Sequence, residues 1–178
     1  KTFNMNTKYT YLIVSLFLCL SLHSFGQETQ TKESNAAVFY FIRHAEKDRS
    51  NPNERNPHLT EQGHYRAKQW AHFFKDIPLA AVYSSPYHRT IETATPTAAQ
   101  KNLEVLSYDP RNLDPKPFLE QFPKGQILIV GHSNTTPAFV NAFLEKARYE
   151  DLDDSDNGSV FVLYISEDFK LVNQYHID

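Results

Sequence analysis

The sequence predicts an α/β sandwich around a mainly parallel sheet with an antiparallel C-terminal edge, and three observations carry that prediction. Apolar runs of strand length at 36–42, 80–84 and 126–130 stop abruptly at short polar segments, as buried parallel strands do. Each run is followed by a segment of helical period with Thr, Ser or Pro near its start. Two final strand segments, 160–165 and 171–177, are separated only by a polar turn around S-E-D, which suits a hairpin. Strands alternating with helices give a layered α/β arrangement.

Taken in order, the elements begin with strand 36–42, then a polar stretch to residue 58, of which 51–57 reads equally as a flap or as a surface loop. Thr60 caps a helix running to about residue 75, with Ala67, Trp70, Ala71 and Phe74 on its buried face. Gly63 costs that helix about 1 kcal/mol relative to Ala, which points to close packing of the helix on the sheet. After strand 80–84, Ser85 and Pro86 read as the cap and first residue of a helix to residue 100, which Pro96 should kink or split. Residues 103–108 are a third strand, 117–122 a short helix, and 126–130 (Q-I-L-I-V) the clearest buried strand. The loop 131–134 leads to Thr136-Pro137, which opens a helix to about residue 146 by the same cap-then-Pro device.

A chain of 178 residues with 40% hydrophobic and 22% charged residues supports one ordinary globular domain. The net charge is −3 and no basic run of five occurs, which argues against nucleic acid as a partner. The apolar stretch at 11–22 (Y-L-I-V-S-L-F-L-C-L-S-L) is too short to span a bilayer and has the length of a signal-peptide core. Lys8 precedes it, Met5 suits an initiator, and the small residues Ser24 and Gly26 precede a cut ahead of Gln27. The expected organisation is therefore a removed leader at 1–26, a polar linker at 27–35 and a folded domain at 36–178. The mature protein is expected in the periplasm or outside the cell, with no stable membrane partner. A membrane anchor or a lipidated Cys19 is the weaker alternative, since Leu18 stands where lipidation wants a small residue. Cys19 is the single cysteine, so the mature domain must be stable without disulfides.

In open parallel sheets ligands collect at the carboxyl ends of the strands, which assigns Arg43-His44, Ser84-Ser85, Asp109 and Gly131-His132 to one rim. Arg43 and His44 follow directly on an apolar strand. Arg89 falls in the first turn of a helix, where the dipole disfavours a cation by roughly 0.3–1 kcal/mol unless an anion binds there. Gly131 lets the chain turn and lets a ligand approach His132 closely. Two guanidiniums and two helix N-termini suit a phosphate dianion. Neutral imidazole is a nucleophile that forms and releases a phosphoramidate without a cofactor or metal. The second imidazole, when protonated, would share charge on the transferring oxygens, and a carboxylic acid would protonate the leaving oxygen.

With these residues in place the chain resembles the histidine phosphatase superfamily, also called phosphoglycerate-mutase-like, over residues 38–165. The matching stretches are F-I-R-H-A-E-K at 41–47, L-T-E-Q-G at 59–63, S-S-P-Y-H-R-T-I-E-T-A at 84–94 and V-G-H-S-N-T-T-P at 130–137. The resemblance implies a three-layer α/β/α sandwich in which His44 becomes phosphorylated, Arg43 and Arg89 bind the phosphoryl group and His132 completes the pocket. It also implies a small-molecule phosphate ester or phosphohistidine as substrate and no cofactor. The chain looks like the small bacterial phosphohistidine-phosphatase type, because sugar-phosphate mutases carry longer insertions where only residues 100–125 stand here. The family's usual proton donor, a Glu in that region, has no match. Asp109 is the first candidate for the role and Asp114 the second. Ser50 occupies a position where relatives place a polar phosphate ligand.

Three other readings compete. A non-catalytic phosphate-binding module would keep the pocket without turnover, although such a module has no need of a nucleophile. A phosphomutase is less favoured on the spacing just given. A metal site using His44 and His132 with Glu46 or Asp109 would set a cation beside Arg43, which is electrostatically unfavourable.

Overall fold

The computed structural model describes residues 36–177; the expected leader at 1–26 and linker at 27–35 lie outside the described residues. Among the described residues six strands and four helices follow in the order β1 (Ala37–Arg43), α1 (Glu61–Phe73), β2 (Ala81–Ser84), α2 (His88–Gln100), β3 (Val105–Ser107), α3 (Lys116–Gln121), β4 (Gln126–Gly131), α4 (Thr135–Leu144), β5 (Ser159–Ile165) and β6 (Lys170–His176). They form one sheet in the order β3-β2-β4-β1-β5-β6. The β1–β4, β2–β4 and β2–β3 pairs are parallel, whereas β5 runs antiparallel to both β1 and β6. This is the expected mainly parallel sheet with an antiparallel C-terminal edge.

Side chains alternate across β1, so Phe39 and Phe41 pack on one face of the sheet and Val38, Tyr40 and Ile42 on the other. The first face is covered by α3 and α4 through Phe118, Phe139 and Phe143, and the second by α1 and α2 through Trp70, Ala94 and Ala98. Apolar cover on both faces makes β1 and β4 continuous hydrophobic runs and gives the fold its three layers.

Several boundaries differ from those expected. Ser85 and Pro86 do not open α2, which starts at His88 after the extended residue Tyr87. The amide of His88 is capped instead by the side-chain oxygen of Asn56, 2.9 Å away on the loop after β1. Pro96 does not split α2, which is one helix from residue 88 to 100. Thr136 does not cap α4 either: the helix starts at Thr135, and Thr136 is buried with its hydroxyl 3.3 Å from the Ile42 carbonyl. Pro137 therefore sits in the first turn, where its missing N–H has no intrahelical partner to lose.

Gly63 also has a different reason from the one expected. Thr60 caps α1 as foreseen, accepting from the Gly63 amide at 3.1 Å. A Cβ on Gly63, however, would stand 2.2 Å from the carbonyl oxygen of Glu46, so at this position α1 packs against the segment after β1, while its Trp70 packs on the sheet.

Candidate active site

The four parallel strands end at Arg43, Ser84, Ser107 and Gly131 on one rim. Arg43 lies opposite Gly131 in the β1–β4 register, and the His44 amide donates to the Gly131 carbonyl at 2.9 Å. Adjacent strands therefore deliver His44 and His132 side by side, with ring centroids 5.6 Å apart. Arg89 arrives from the first turn of α2. Arg43, His44, Arg89 and His132 line one cavity of about 430 Å³, together with Lys47, Tyr87, Arg111 and Asp154.

His44 is fixed from several sides. Its carbonyl accepts from Asn157 Nδ2 at 2.8 Å, and the next amide, that of Ala45, donates to Thr93 Oγ1 at 2.9 Å. Its ring Nδ1 lies 2.7 Å from the Ala45 carbonyl oxygen, a partner that can only accept. Nδ1 therefore carries the proton and Nε2 keeps its lone pair. Burial, reinforced by the charges of Arg43 and Arg89, pushes the His44 pKa down to about 3, so the ring is neutral at ordinary pH.

His132 has the opposite tautomer. Arg89 Nη2 stands 3.3 Å from its Nδ1, which must accept, and Nε2 donates to the Ser85 hydroxyl at 3.0 Å. Ser85 passes its own proton to Thr90 Oγ1 at 3.0 Å, which closes on the Ser85 carbonyl at 2.8 Å. Burial first, then the charges of Arg89, Lys47 and Arg43, push the His132 pKa down to about 4. His132 is thus neutral at ordinary pH, so the charge-sharing role foreseen for a protonated second imidazole requires that the ring first gain a proton.

The cations are arranged for an anion. Arg89 packs over the Tyr87 ring at 4.6 Å, and its Nε and Nη1 are buried without a hydrogen-bond partner. Arg43 is 1% exposed; Asp154 holds its Nη2 at 2.6 Å, the Asp153 and Asp156 carbonyls hold Nη1, and Nε is left buried and unpartnered. Unpaired buried donors are costly, and both guanidiniums belong to residues that line the cavity beside the two imidazoles.

Three candidate residues are not brought to this cavity. Asp109 is half-exposed and its carboxylate is taken by Arg111, with Nε and Nη2 both at 2.9 Å, because the chain turns back two residues later. Ser50 is exposed, and its amide is engaged by Asp48 at 2.8 Å in a local turn. Asp114 likewise spends its carboxylate on the Lys116 amide at 3.0 Å and is not in the cavity lining. Gly131 does not adopt a positive φ; a Cβ there would stand 2.8 Å from the Tyr108 hydroxyl and 2.9 Å from Thr136 Oγ1, so its smallness makes room for the packing beneath the pocket. Among the described residues no cluster of three or more His, Cys, Asp or Glu is arranged to hold a metal ion.

Sequence reasoning missed Lys47, Tyr87, Arg111 and Asp154 as lining residues. Lys47 and Tyr87 stand inside the quoted motifs, three residues after His44 and two before Arg89, and their proximity was the available signal. Asp154 lies 111 positions from Arg43, and no pattern around it announces the contact.

Fold and pocket define an α/β/α protein whose sheet rim carries two imidazoles within a cationic cradle. Residues 39–111 match the model of the histidine phosphatase superfamily (branch 1). Among solved structures, the phosphoserine phosphatase of Entamoeba histolytica, in complex with 3-phosphoglyceric acid, is similar at 17% identity and a TM-score of 0.62, covering 80% of this chain and 98% of that one. A mycobacterial glucosyl-3-phosphoglycerate phosphatase is similar at 14% identity and a TM-score of 0.60, over 80% of this chain and 100% of that one. The protein histidine phosphatase SixA, complexed with tungstate, is similar at 15% identity and a TM-score of 0.59, over 78% and 96%. Such likenesses establish the fold. No curated protein matches the chain by sequence.

Proposed function

We propose that this protein is an exported, metal-independent phosphatase that hydrolyses small phosphomonoesters or phosphohistidine through a phosphohistidine intermediate on His44. The observation that carries the reading is the neutral His44 ring, with its Nε2 lone pair free, in one cavity with the unpartnered donors of Arg43 and Arg89. In this reading Nε2 attacks phosphorus while the guanidiniums hold the non-bridging oxygens. As Arg89 turns its Nη2 from His132 Nδ1 to a bound dianion, the His132 pKa rises, and Nδ1 gains a proton and becomes a further donor. Water hydrolyses the phosphoramidate and frees His44. That relatives of this fold are phosphatases, one of them crystallised with 3-phosphoglyceric acid, supports a small phosphorylated substrate. The apolar stretch at 11–22 supports export, which N-terminal sequencing of the protein from fractionated cells tests.

The experiment is hydrolysis of 4-nitrophenyl phosphate with chelator present, by wild type and by His44→Ala. Chelator-resistant turnover that disappears in the variant is expected; turnover that survives the substitution, or that needs added metal, contradicts the reading.

A further inference from the structure

The reaction just proposed needs a proton for the leaving atom, and none of the carboxylates near the pocket is free to give one. Among the described residues Asp154 is the only carboxylate in the cavity lining, and Arg43 and Arg49 both bind it at 2.6 Å. Burial works against these bonds, yet together with the two positive charges they hold its carboxyl below the usual carboxylate range, so it carries no proton to donate. Asp109 is taken by Arg111 and Glu46 by Arg66, the latter at 2.7 Å, and neither lines the cavity.

Lys47 does line it. Its backbone is fixed by a bridge to Leu59 between the Asp48 amide, which binds the His58 carbonyl, and Glu46, whose carbonyl accepts from Thr60. Its side chain makes no hydrogen bond or ion pair with another described residue, whereas Arg43 and Arg111, two other cations of the lining, have carboxylate partners. Among the described residues Lys47 is thus the one lining group with a transferable ammonium proton that no other described residue holds, since a guanidinium does not release its protons.

We propose that Lys47 is the acid and base of the reaction, giving a proton to the leaving atom and then receiving one from the hydrolytic water. This rests on the phosphatase reading above. In the first half, His44 Nε2 bonds to phosphorus and the bond to the leaving oxygen breaks. That oxygen keeps the electron pair and takes a proton from Nζ, so a neutral alcohol departs and Lys47 is left as the amine. In the second half, a water oxygen bonds to phosphorus and the P–N bond returns its pair to Nε2. The water proton passes to Nζ, which restores the ammonium and releases phosphate.

The surroundings favour proton release. Burial, followed by the like charges of Arg49, Arg89 and Arg43, lowers the Lys47 pKa from its ordinary value, and only Asp154 opposes them. A general acid is most effective when its pKa approaches the working pH.

The test compares wild type, Lys47→Met and Lys47→Arg on phosphomonoesters running from 4-nitrophenyl to simple alkyl leaving groups, with melting curves to verify folding. A poor leaving group needs the proton and a good one does not, so both variants should lose kcat/KM on the alkyl esters by on the order of 10²–10⁴-fold more than on the nitrophenyl ester. Arg keeps the charge without the transferable proton, so its failure to rescue alkyl ester turnover is part of the expected result. Rescue by Arg, or a loss equal across all leaving groups, would make Lys47 a charge that binds the substrate and would overturn the inference. A variant that does not melt cooperatively while Lys47→Arg is folded and active on alkyl esters overturns it as well. Absence of nitrophenyl turnover in wild type is a separate failure, of the phosphatase reading, and removes this inference with it.

Discussion

The guanidinium of Arg89 stands 3.3 Å from Nδ1 of His132, a contact that only the neutral ring permits, because a protonated Nδ1 would face a donor. The pocket therefore stores two neutral imidazoles among cations. Both are held in fixed tautomers by fully engaged neighbours, Ala45 for His44 and Ser85 for His132.

This arrangement predicts how stability depends on pH. The folded values of about 3 for His44 and about 4 for His132 lie below the value of about 6.5 for unfolded histidine, so between those limits the unfolded chain binds more protons. The contribution is fully present above about pH 6.5 and is lost as pH falls toward 4 and then 3. His44→Gln should give a flatter stability curve across that window in thermal melts, and parallel curves for the two proteins would contradict the assignment.

Arg89→Ala should cost kcat/KM a factor of about 10²–10³ while changing unfolding free energy by no more than about 0.5 kcal/mol. Its Nε and Nη1 have no hydrogen-bond partners within the described residues, so the fold loses little with them. Kinetics paired with urea unfolding check both halves; an unfolded variant would assign Arg89 to the scaffold.

Gly63→Ala inverts the usual helix rule. In an open helix the change gains about 1 kcal/mol, but here the new methyl would meet the Glu46 carbonyl at 2.2 Å, and relieving that overlap should cost roughly 1–3 kcal/mol. Because Glu46 precedes Lys47, activity should fall together with the midpoint of denaturant unfolding.

Asp109→Asn should alter turnover of good and poor leaving groups by the same small factor, since its carboxylate is exposed and bound to Arg111. A loss confined to poor leaving groups, read from kcat/KM across an ester series, would return Asp109 to the donor role.

Much of this molecule is legible in its sequence because burial on both sheet faces writes itself as apolar runs. The run before Arg43 and the Q-I-L-I-V run before Gly131 fix two adjacent strands, and the residues that follow them become neighbours by register alone. Arg89 was legible because a cation in a first helical turn is locally unfavourable. Helix starts were less so, since the cap of α2 comes from Asn56, 32 positions away from His88, and displaces the local Ser-Pro signal. Asp109 misled for a related reason: its place after a strand suggested the rim, but Arg111 turns its carboxylate aside. Asp154 reaches Arg43 through tertiary structure that no local pattern encodes.

The central claim is that His44 carries the phosphoryl group, and the most direct measurement is to quench the enzyme during turnover of a ³²P-labelled aryl phosphate and map the label. An acid-labile, base-stable label is expected on the peptide containing His44, absent from His44→Ala and accumulating when hydrolysis is slowed. Turnover with no labelled protein, or a label that maps to His132 or survives in His44→Ala, would contradict it.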